Sequence, residues 1–518
     1  LAIKTLIKRS EYHDSVSLML VARELTQMAQ VEDASVVMAT EANKGLLKNA
    51  GLLTPEAEAA SPNDLVIAVK AAEDALAVIL EEVERLLQAK QTVVMGGEFR
   101  PKTLNGAVKA DAEANLAVIS VAGRYAAAEA WDALLRGLHV LLFSDNVSLE
   151  DEIALKQYAV EHGLLMMGPG AGTAILNGVA LGFANVVPQG PVGIVAAAGT
   201  GLQEVSCLLA KYGVGLSQGI GTGGRDLKEA VGGLMMLAGL KALQEDPHTA
   251  GIVVVSKPPS AAVTRKILEQ IALADKPTVV CFLGSDTLLP PDSLAARWGK
   301  TVQAAHTLEE AARLGAQAAG SSLIKLPQTG QVLEVLPKVR FAPEQRYLRG
   351  LFSGGTLCYE AQVIWRDRLK TPVLSNAPLE AVNQLPDSLH SQGHTAIDLG
   401  EEEFTVGRPH PMIDNDLRIR RLMQEATDTE TAVIMLDVVL GYGAHPDPAA
   451  ELAPAIQQAR ALRQAAGGEL AVAASVTGTD DDPQKLSRQI HLLEQAGAVV
   501  CESNAAAARW AGAAVGDR

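Results

Sequence analysis

PVGIVAAAGTGLQEVSCLLAKYG, residues 191–213, carries the reading of the fold. It opens on an apolar run of strand length, passes through Gly199–Thr200–Gly201, and continues with apolar residues at helical spacing. A strand that turns through glycines into a helix begins a βα unit. The first-turn N–H groups of such a helix have no partner within it and suit negative charge. The same order returns in GLFSGGTLCYE, residues 350–360, so GTxxxE stands at Gly199–Glu204 and again at Gly355–Glu360.

Working outward from these two turns, four units emerge. Residues 1–105 read as a small α/β domain, with strands in KTLIKR, ASVVMAT and DLVIAVK and helices in DSVSLMLVARELTQ and AAEDALAVILEEVERLLQ. Residues 106–190 alternate as βαβαβ: NLAVISVA, GRYAAAEAWDALLRG, HVLLFS, SLEDEIALKQYAVEHG and LLMMGPG. That order predicts a parallel sheet with ligands beyond its carboxyl strand ends. Residues 191–330 form a third unit, 321–345 a linker, and 345–518 a fourth unit that repeats the third in its order of features. The repetition predicts a duplicated parallel-sheet domain facing its twin across a pseudo-two-fold interface.

Composition limits the partners. The chain has 518 residues, 48% hydrophobic and 20% charged, enough to bury several cores. A formal charge of −16 disfavours the phosphate-backbone attraction that nucleic acids and anionic membranes need, so neither is an expected partner. Cys207, Cys281, Cys358 and Cys501 are far apart, with no CxxC and no His/Cys cluster, which predicts neither a disulfide framework nor a metal centre. LAIKTLIKRSEY lacks the apolar core of a signal peptide, and the expected location is cytoplasmic.

The anion-suited residues lie in four loops. Gly199, Thr200 and Gly201, and in the second copy Gly355 and Thr356, are candidate substrate or phosphate contacts. Glu204 and Glu360 fall near the first turn of each helix, where a carboxylate also serves simply to steady the helix. GIGTGGRD, residues 219–226, offers Gly221, Gly223 and Gly224 as a backbone nest and Arg225 as a bidentate grip on phosphate or carboxylate. Asp226 either orients Arg225 or caps the next helix. GRPHPMID, residues 407–414, adds Arg408 for an anion and His410 for proton transfer near neutral pH. Arg225, Arg408 and His410 are the candidate catalytic residues; His445 and Asp437 rank behind them. MGPGAG at 167–172 is a further strand-end turn, and Ser148 in SDNVSLEDE reads as an N-cap with Asp151 three residues on. Cys358 reads as a buried structural thiol or as a helix-start thiolate. Neither GxxxxGK[ST] nor HExxH occurs.

The segments TEANKGLL, ISVAGRYAAAEA, FSDNVSLEDEIALK, MGPGAGTAI, GTGLQE, GIGTGGRDL, SKPPSAAV, GGTLCYEA, GRPHPMID and LDVVLGYGAHPDPAA closely resemble the FdrA family of the succinyl-CoA synthetase-like superfamily. The resemblance extends over nearly the whole chain. It implies a multidomain α/β fold, with a Rossmann-like CoA-binding-type domain followed by two flavodoxin-like ligase-type domains with parallel sheets. Only the second half of the CoA-binding domain is matched; a segment without the glycine fingerprint stands in place of the first. Succinyl-CoA synthetases carry a phosphohistidine after KPVV-like residues. Here KPTVVCFLGSD runs into LLPPDSLAARWGK, and the next histidine is His306. No ATP-grasp segment is recognisable.

The family is similar to a component of the oxamate carbamoyltransferase of anaerobic allantoin and purine catabolism, which acts with two other proteins. The resemblance therefore implies oxamate and carbamoyl phosphate as bound anions, carbamoyl transfer as the reaction, two protein partners and, as a further option, a homo-oligomer. The alternatives are an acyl-CoA synthetase-like enzyme and a non-catalytic scaffold subunit. No cofactor follows from the residues. CoA is the one the resemblance raises, and no Mg2+ site is assigned.

Overall fold

The fold was obtained as a computed structural model, which describes every residue except 1, 10, 12–14, 27, 29, 74, 93–100, 102, 122, 286–301, 322–340, 406–408 and 517–518. The chain divides into two compact units, one of Leu1–Ala114, Ser120–Tyr125 and Glu402–Pro409, the other of Asn115–Ile119, Ala126–Glu401 and His410–Arg518.

In the first unit β1 (Ala2–Lys8), β2 (Val31–Met38) and β3 (Leu65–Ala71) form an antiparallel sheet in the order β1-β3-β2. The central strand is buried on both faces because its side chains alternate. Leu65, Ile67 and Val69 pack with Leu18, Val21 and Leu25 of the helix Ser15–Thr26 and with Ile79 and Val83 of the helix Leu76–Thr92. Val66 and Ala68 pack with Leu47, Leu52 and Ala57.

The second unit holds three sheets. β4 (Leu116–Ile119), β5 (His139–Leu142) and β6 (Met166–Met167) run parallel in sequence order, as the βαβαβ reading predicts. Ser148 caps the helix Leu149–Glu161, its hydroxyl accepting from Asp151 N at 3.0 Å.

The second sheet contains β7 (Thr173–Leu176), β8 (Val179–Gly182), β9 (Gln189–Ala196), β10 (Leu216–Gly221), β11 (Gly251–Ser256), β12 (Thr278–Phe282) and β13 (Val302–Ala304), in the order β13-β12-β11-β9-β10-β7-β8. Five strands from β9 to β13 are parallel, and the β7–β8 hairpin extends the β10 edge antiparallel. The sheet thus takes in two strands that precede residue 191.

The third sheet contains β14 (Tyr347–Phe352), β15 (Val373–Ser375), β16 (His394–Asp398), β17 (Thr431–Val439), β18 (Ala471–Thr477) and β19 (Val499–Cys501), all parallel, in the order β15-β16-β14-β17-β18-β19.

Stripped of the hairpin and of β15, both large sheets have the flavodoxin-like strand order 2-1-3-4-5, with β9 and β14 as first strands. The fold class is therefore multidomain α/β with two flavodoxin-like domains, as the sequence implies. The expected linker at 321–345 lies mostly outside the described residues. One apolar core is continuous across both sheets, joining Val205 and Leu208 of the helix Gly199–Lys211 to Leu357, Ala361 and Trp365 of the helix Gly355–Arg368.

Candidate functional site

Each glycine turn lies where its domain's first strand ends, at the point where neighbouring connections leave in opposite directions. Such switch points are where doubly wound sheets bind ligands. The two helix starts also touch. The space a Cβ would fill at Gly354 lies 2.9 Å from Thr200 Cγ2, and that at Gly201 lies 3.1 Å from Thr356 Cγ2.

At the first turn, residues 170–173, 196–199, 221, 223 and 224 line a small, partly open cleft. Among the described residues lining it, none is charged. Ala198 holds the N-cap position and has no side chain to cap with, so the first-turn N–H groups of the helix Gly199–Lys211 lack a side-chain cap. Glycine is required at the walls. A Cβ at Gly221 would collide with the Thr173 carbonyl, and one at Gly223, where φ is 83°, would collide with the Pro169 carbonyl.

Arg225 was expected to grip that anion. Instead its Nε lies 2.8 Å from Glu152 Oε2 and its Nη2 donates to Val147 O at 2.8 Å. Glu152 also pairs with Lys156 Nζ at 2.8 Å, and Lys156 pairs with Asp226 at 2.9 Å; both pairs are fully buried. Asp226 accepts from Met235 N and Met236 N, so of its two possible roles it takes the capping one, on the helix Leu234–Glu245. Arg225 therefore ties the glycine nest to the helix Leu149–Glu161.

The second turn is electrostatically opposite. Strand pairing places Ala196 beside Gly221 and Val255 in the first domain, whereas the corresponding Phe352 lies beside Asp398, and Asp437 follows the partner of Leu351. Two carboxylates thus stand where the first domain has glycine and valine. Asp437 is fully buried and accepts from Ser353 N at 2.7 Å, Ser353 Oγ at 3.0 Å and Gly354 N at 2.8 Å; Arg418 completes its shell. It holds the turn in place. Asp398 is also buried, and its Oδ1 accepts from Gly400 N at 2.9 Å. Burial pushes its carboxyl up to about 7; Lys257 and the Gly400 bond oppose the rise, and Glu401 and Asp437 add to it. A Cβ on Gly355 would meet Asp398 Oδ2 and lie 3.7 Å from Lys257 Nζ, so the second turn, unlike the first, has a carboxylate and an ammonium at its edge.

His410 lies beside this turn. Met412 N donates to its Nδ1 at 3.2 Å, which leaves Nε2 to carry the proton of the neutral ring. Burial, with Arg418 nearby, lowers its pKa to about 4. Both causes favour the neutral ring. Arg408 lies outside the described residues. His445 Nε2 stands 3.1 Å from Glu451. Cys358 is a buried thiol whose pKa is raised well above the usual value by desolvation.

Glu204 and Glu360 do more than steady their own helices: each crosses to the other domain. Glu204 accepts from Asn504 N at 3.0 Å and from the Thr477 hydroxyl. Glu360 accepts from Leu308 N at 2.6 Å and from Asn504 Nδ2 at 2.8 Å. Asn504 and Leu308 each open the helix that follows the fifth strand of their domain, Asn504–Val515 and Leu308–Ala318. The exchange is pseudo-two-fold. Burial raises the Glu360 carboxyl to about 7. Sequence reasoning missed Asp398 and Lys257. Comparing strand ends between the two copies would have found Asp398, because HTAID ends in aspartate where LSQGIG ends in glycine.

The third sheet defines a CoA-ligase-type domain: residues 351–514 match the CoA-ligase family, and residues 1–101 match the family described as AllF, heavy metal-associated domain. The chain is 46% identical over 509 residues to the uncharacterized protein YahF of Escherichia coli K12, covering 97% of each, and it belongs to the YahF family. It is also 25% identical over 225 residues to the succinate–CoA ligase [ADP-forming] subunit alpha of Methanothermobacter thermautotrophicus, covering 42% of this chain and 74% of that one. A solved dinucleotide-forming acetyl-coenzyme A synthetase 1 of Ca. Korarchaeum cryptofilum, in complex with phosphate and ADP, is 15% identical with a TM-score of 0.31, covering 81% of this chain and 85% of that one; a likeness so slight carries no argument.

The names raise two groups, a heavy metal and CoA. Residues 1–101 contain no cysteine, and their one histidine is His13, so the thiolate donors of a soft-metal site are missing there. Among the described residues, no group of three or more His, Cys, Asp or Glu could hold a metal ion. Of the basic groups that follow these strands, Arg124 donates to Pro62 O and Asn63 Oδ1, Arg225 is engaged by Glu152, and Lys257 stands over the Tyr359 ring. Among the described residues, no helix is long and apolar enough to cross a membrane.

Proposed function

We propose that the chain is a subunit of an oxamate carbamoyltransferase, interconverting carbamoyl-oxamate plus phosphate with oxamate plus carbamoyl phosphate in anaerobic allantoin catabolism, and that it works with two other proteins. The observation that carries this reading is the uncharged glycine cleft at the start of the helix Gly199–Lys211, whose first-turn N–H groups have no side-chain cap. The FdrA resemblance and the AllF description of residues 1–101 support the pathway. The sequence has no histidine between His248 and His306, so the stretch that would carry a ligase phosphohistidine lacks one.

In this reading the N–H groups of Gly199, Thr200 and Gly201 hold phosphate and the oxygen that gains charge as the carbamoyl carbon becomes tetrahedral. Fixed backbone donors of this kind contribute roughly 10²–10³-fold each in enzymes that use them. Gly221, Gly223 and Gly224 let the anion approach the backbone. The test is phosphorolysis of carbamoyl-oxamate by the purified chain with and without its partner proteins. Carbamoyl phosphate should form in the assembly, and its absence there would overturn the reading.

The match of residues 351–514 to the CoA-ligase family favours a second reading, an acyl-CoA synthetase-like enzyme. Titration with CoA separates the two: saturable binding at or below millimolar CoA supports the ligase, and no heat or shift at that concentration removes its premise.

A further inference from the structure

Where the two glycine turns meet, the second domain contributes an acid and the first domain a base that its own turn lacks. Asp398 ends β16, next to the first residues of the helix Gly355–Arg368. Lys257 follows β11 of the other domain and reaches across, its Nζ 5.5 Å from the centre of the Tyr359 ring. A Cβ on Gly355 would run into Asp398 Oδ2 and lie 3.7 Å from Lys257 Nζ, so the missing side chain leaves both groups bordering one small space. Gly355 and Lys257 are partly exposed. Asp398 and Asp437 differ in how they are held. Asp437 is surrounded by three donors from Ser353 and Gly354 and by Arg418, whereas Asp398 receives Gly400 N on Oδ1 and turns Oδ2 toward Gly355.

We propose that Asp398 and Lys257 are the proton-transfer and acceptor-binding residues of the carbamoyl transfer, a proposal that rests on the function given above. The Lys257 ammonium holds the carboxylate of the acceptor amide. As the acceptor nitrogen attacks the carbamoyl carbon, a C–N bond forms and the C–O bond to phosphate breaks. The nitrogen's proton passes to Asp398 Oδ2, and phosphate departs onto the N–H groups of residues 199–201. In phosphorolysis the same proton returns to nitrogen as the C–N bond breaks and a phosphate oxygen bonds to carbon. The contact of Thr200 with Gly354 sets the two stations side by side.

The groups that face Asp398 are consistent with this work. Lys257 favours its charged form, while burial, Glu401 and Asp437 favour the protonated one, and the carboxyl titrates at about 7. His410 stands on the far side of Gly400, its Nε2 2.8 Å from where a Cβ there would be and neutral at that pH. A carboxyl poised near neutrality serves as acid in one direction and base in the other.

The experiment uses the full assembly. If the wild type produces carbamoyl phosphate, Asp398→Asn should lower kcat by about 100-fold or more, leave the KM for phosphate unchanged, and remove the inflection near pH 7 from kcat/KM. Lys257→Ala should raise the KM for oxamate about 10-fold or more, with partial recovery in Lys257→Arg. Because Lys257 is partly exposed, its variants decide the matter even if Asp398→Asn does not fold. Wild-type kcat and pH profile in Asp398→Asn, or an unchanged KM in Lys257→Ala, would overturn the proposal while the carbamoyltransferase reading stands. An inactive wild-type assembly would overturn that reading and this proposal together.

Discussion

Arg225 is the residue whose sequence setting most suggests an anion grip, yet its guanidinium faces Glu152. Arg225→Ala should therefore act first on stability, lowering it by about 1–3 kcal/mol by removing one partner of a buried carboxylate, with the loss moderated by the partial exposure of Arg225. A thermal melt beside a turnover assay separates that outcome from a direct catalytic loss in a fully folded protein. The titrating groups also set the pH dependence. Burial lowers His394 and His410 to about 4, so their stabilising contribution is full above pH 6.5 and lost as pH falls toward 4. Asp398 and Glu360 are raised to about 7, so theirs is full below about pH 4 and lost as pH rises toward 7. Asp398→Asn should accordingly be more stable than wild type at pH 8 and less favoured at pH 4. Denaturation midpoints at the two pH values test this, and equal shifts at both would contradict it.

At the scale of elements, the helices Gly199–Lys211 and Gly355–Arg368 serve as paired struts, each sending a glutamate to cap a helix of the opposite domain. Glu204→Ala leaves Asn504 N and the Thr477 hydroxyl buried without that partner, and should cost about 2–4 kcal/mol. A melt that stays within 1 °C of wild type would contradict the strut. Gly221→Ala should force the β7–β8 hairpin away from β10, because its Cβ meets the Thr173 carbonyl, and so lower both the melting temperature and phosphate affinity. Calorimetric titration with inorganic phosphate reads the second effect. The strands and glycine turns of both domains were legible because apolar runs and punctuation are local signals. The partners of Arg225 and Asp398 were not, since Glu152 lies in an earlier helix, and the setting of Asp398 arises only when β16 pairs with β14 and Lys257 arrives from the other sheet. GTxxxE revealed the duplication, but its glutamates were legible only as helix-start carboxylates because their targets follow the fifth strands.

At the scale of the whole molecule, the proposed function requires a chain of net charge −16 to hold an anion by local backbone donors, because its overall field repels one. Duplication supplies two switch points, and divergence has left one bare and furnished the other with Asp398 and Asp437. In the proposed function the pair moves a group between two anions, each held at its own station. The most direct test follows carbamoyl phosphate by phosphorus NMR in the assembled complex supplied with carbamoyl-oxamate and phosphate, using wild type and Gly199→Asp. A carboxylate at the helix start would compete for the N–H groups and repel phosphate. The account predicts carbamoyl phosphate from wild type and none from a folded Gly199→Asp complex. No carbamoyl phosphate from wild type, with ATP- and CoA-dependent formation of an acyl-CoA in its place, would contradict it.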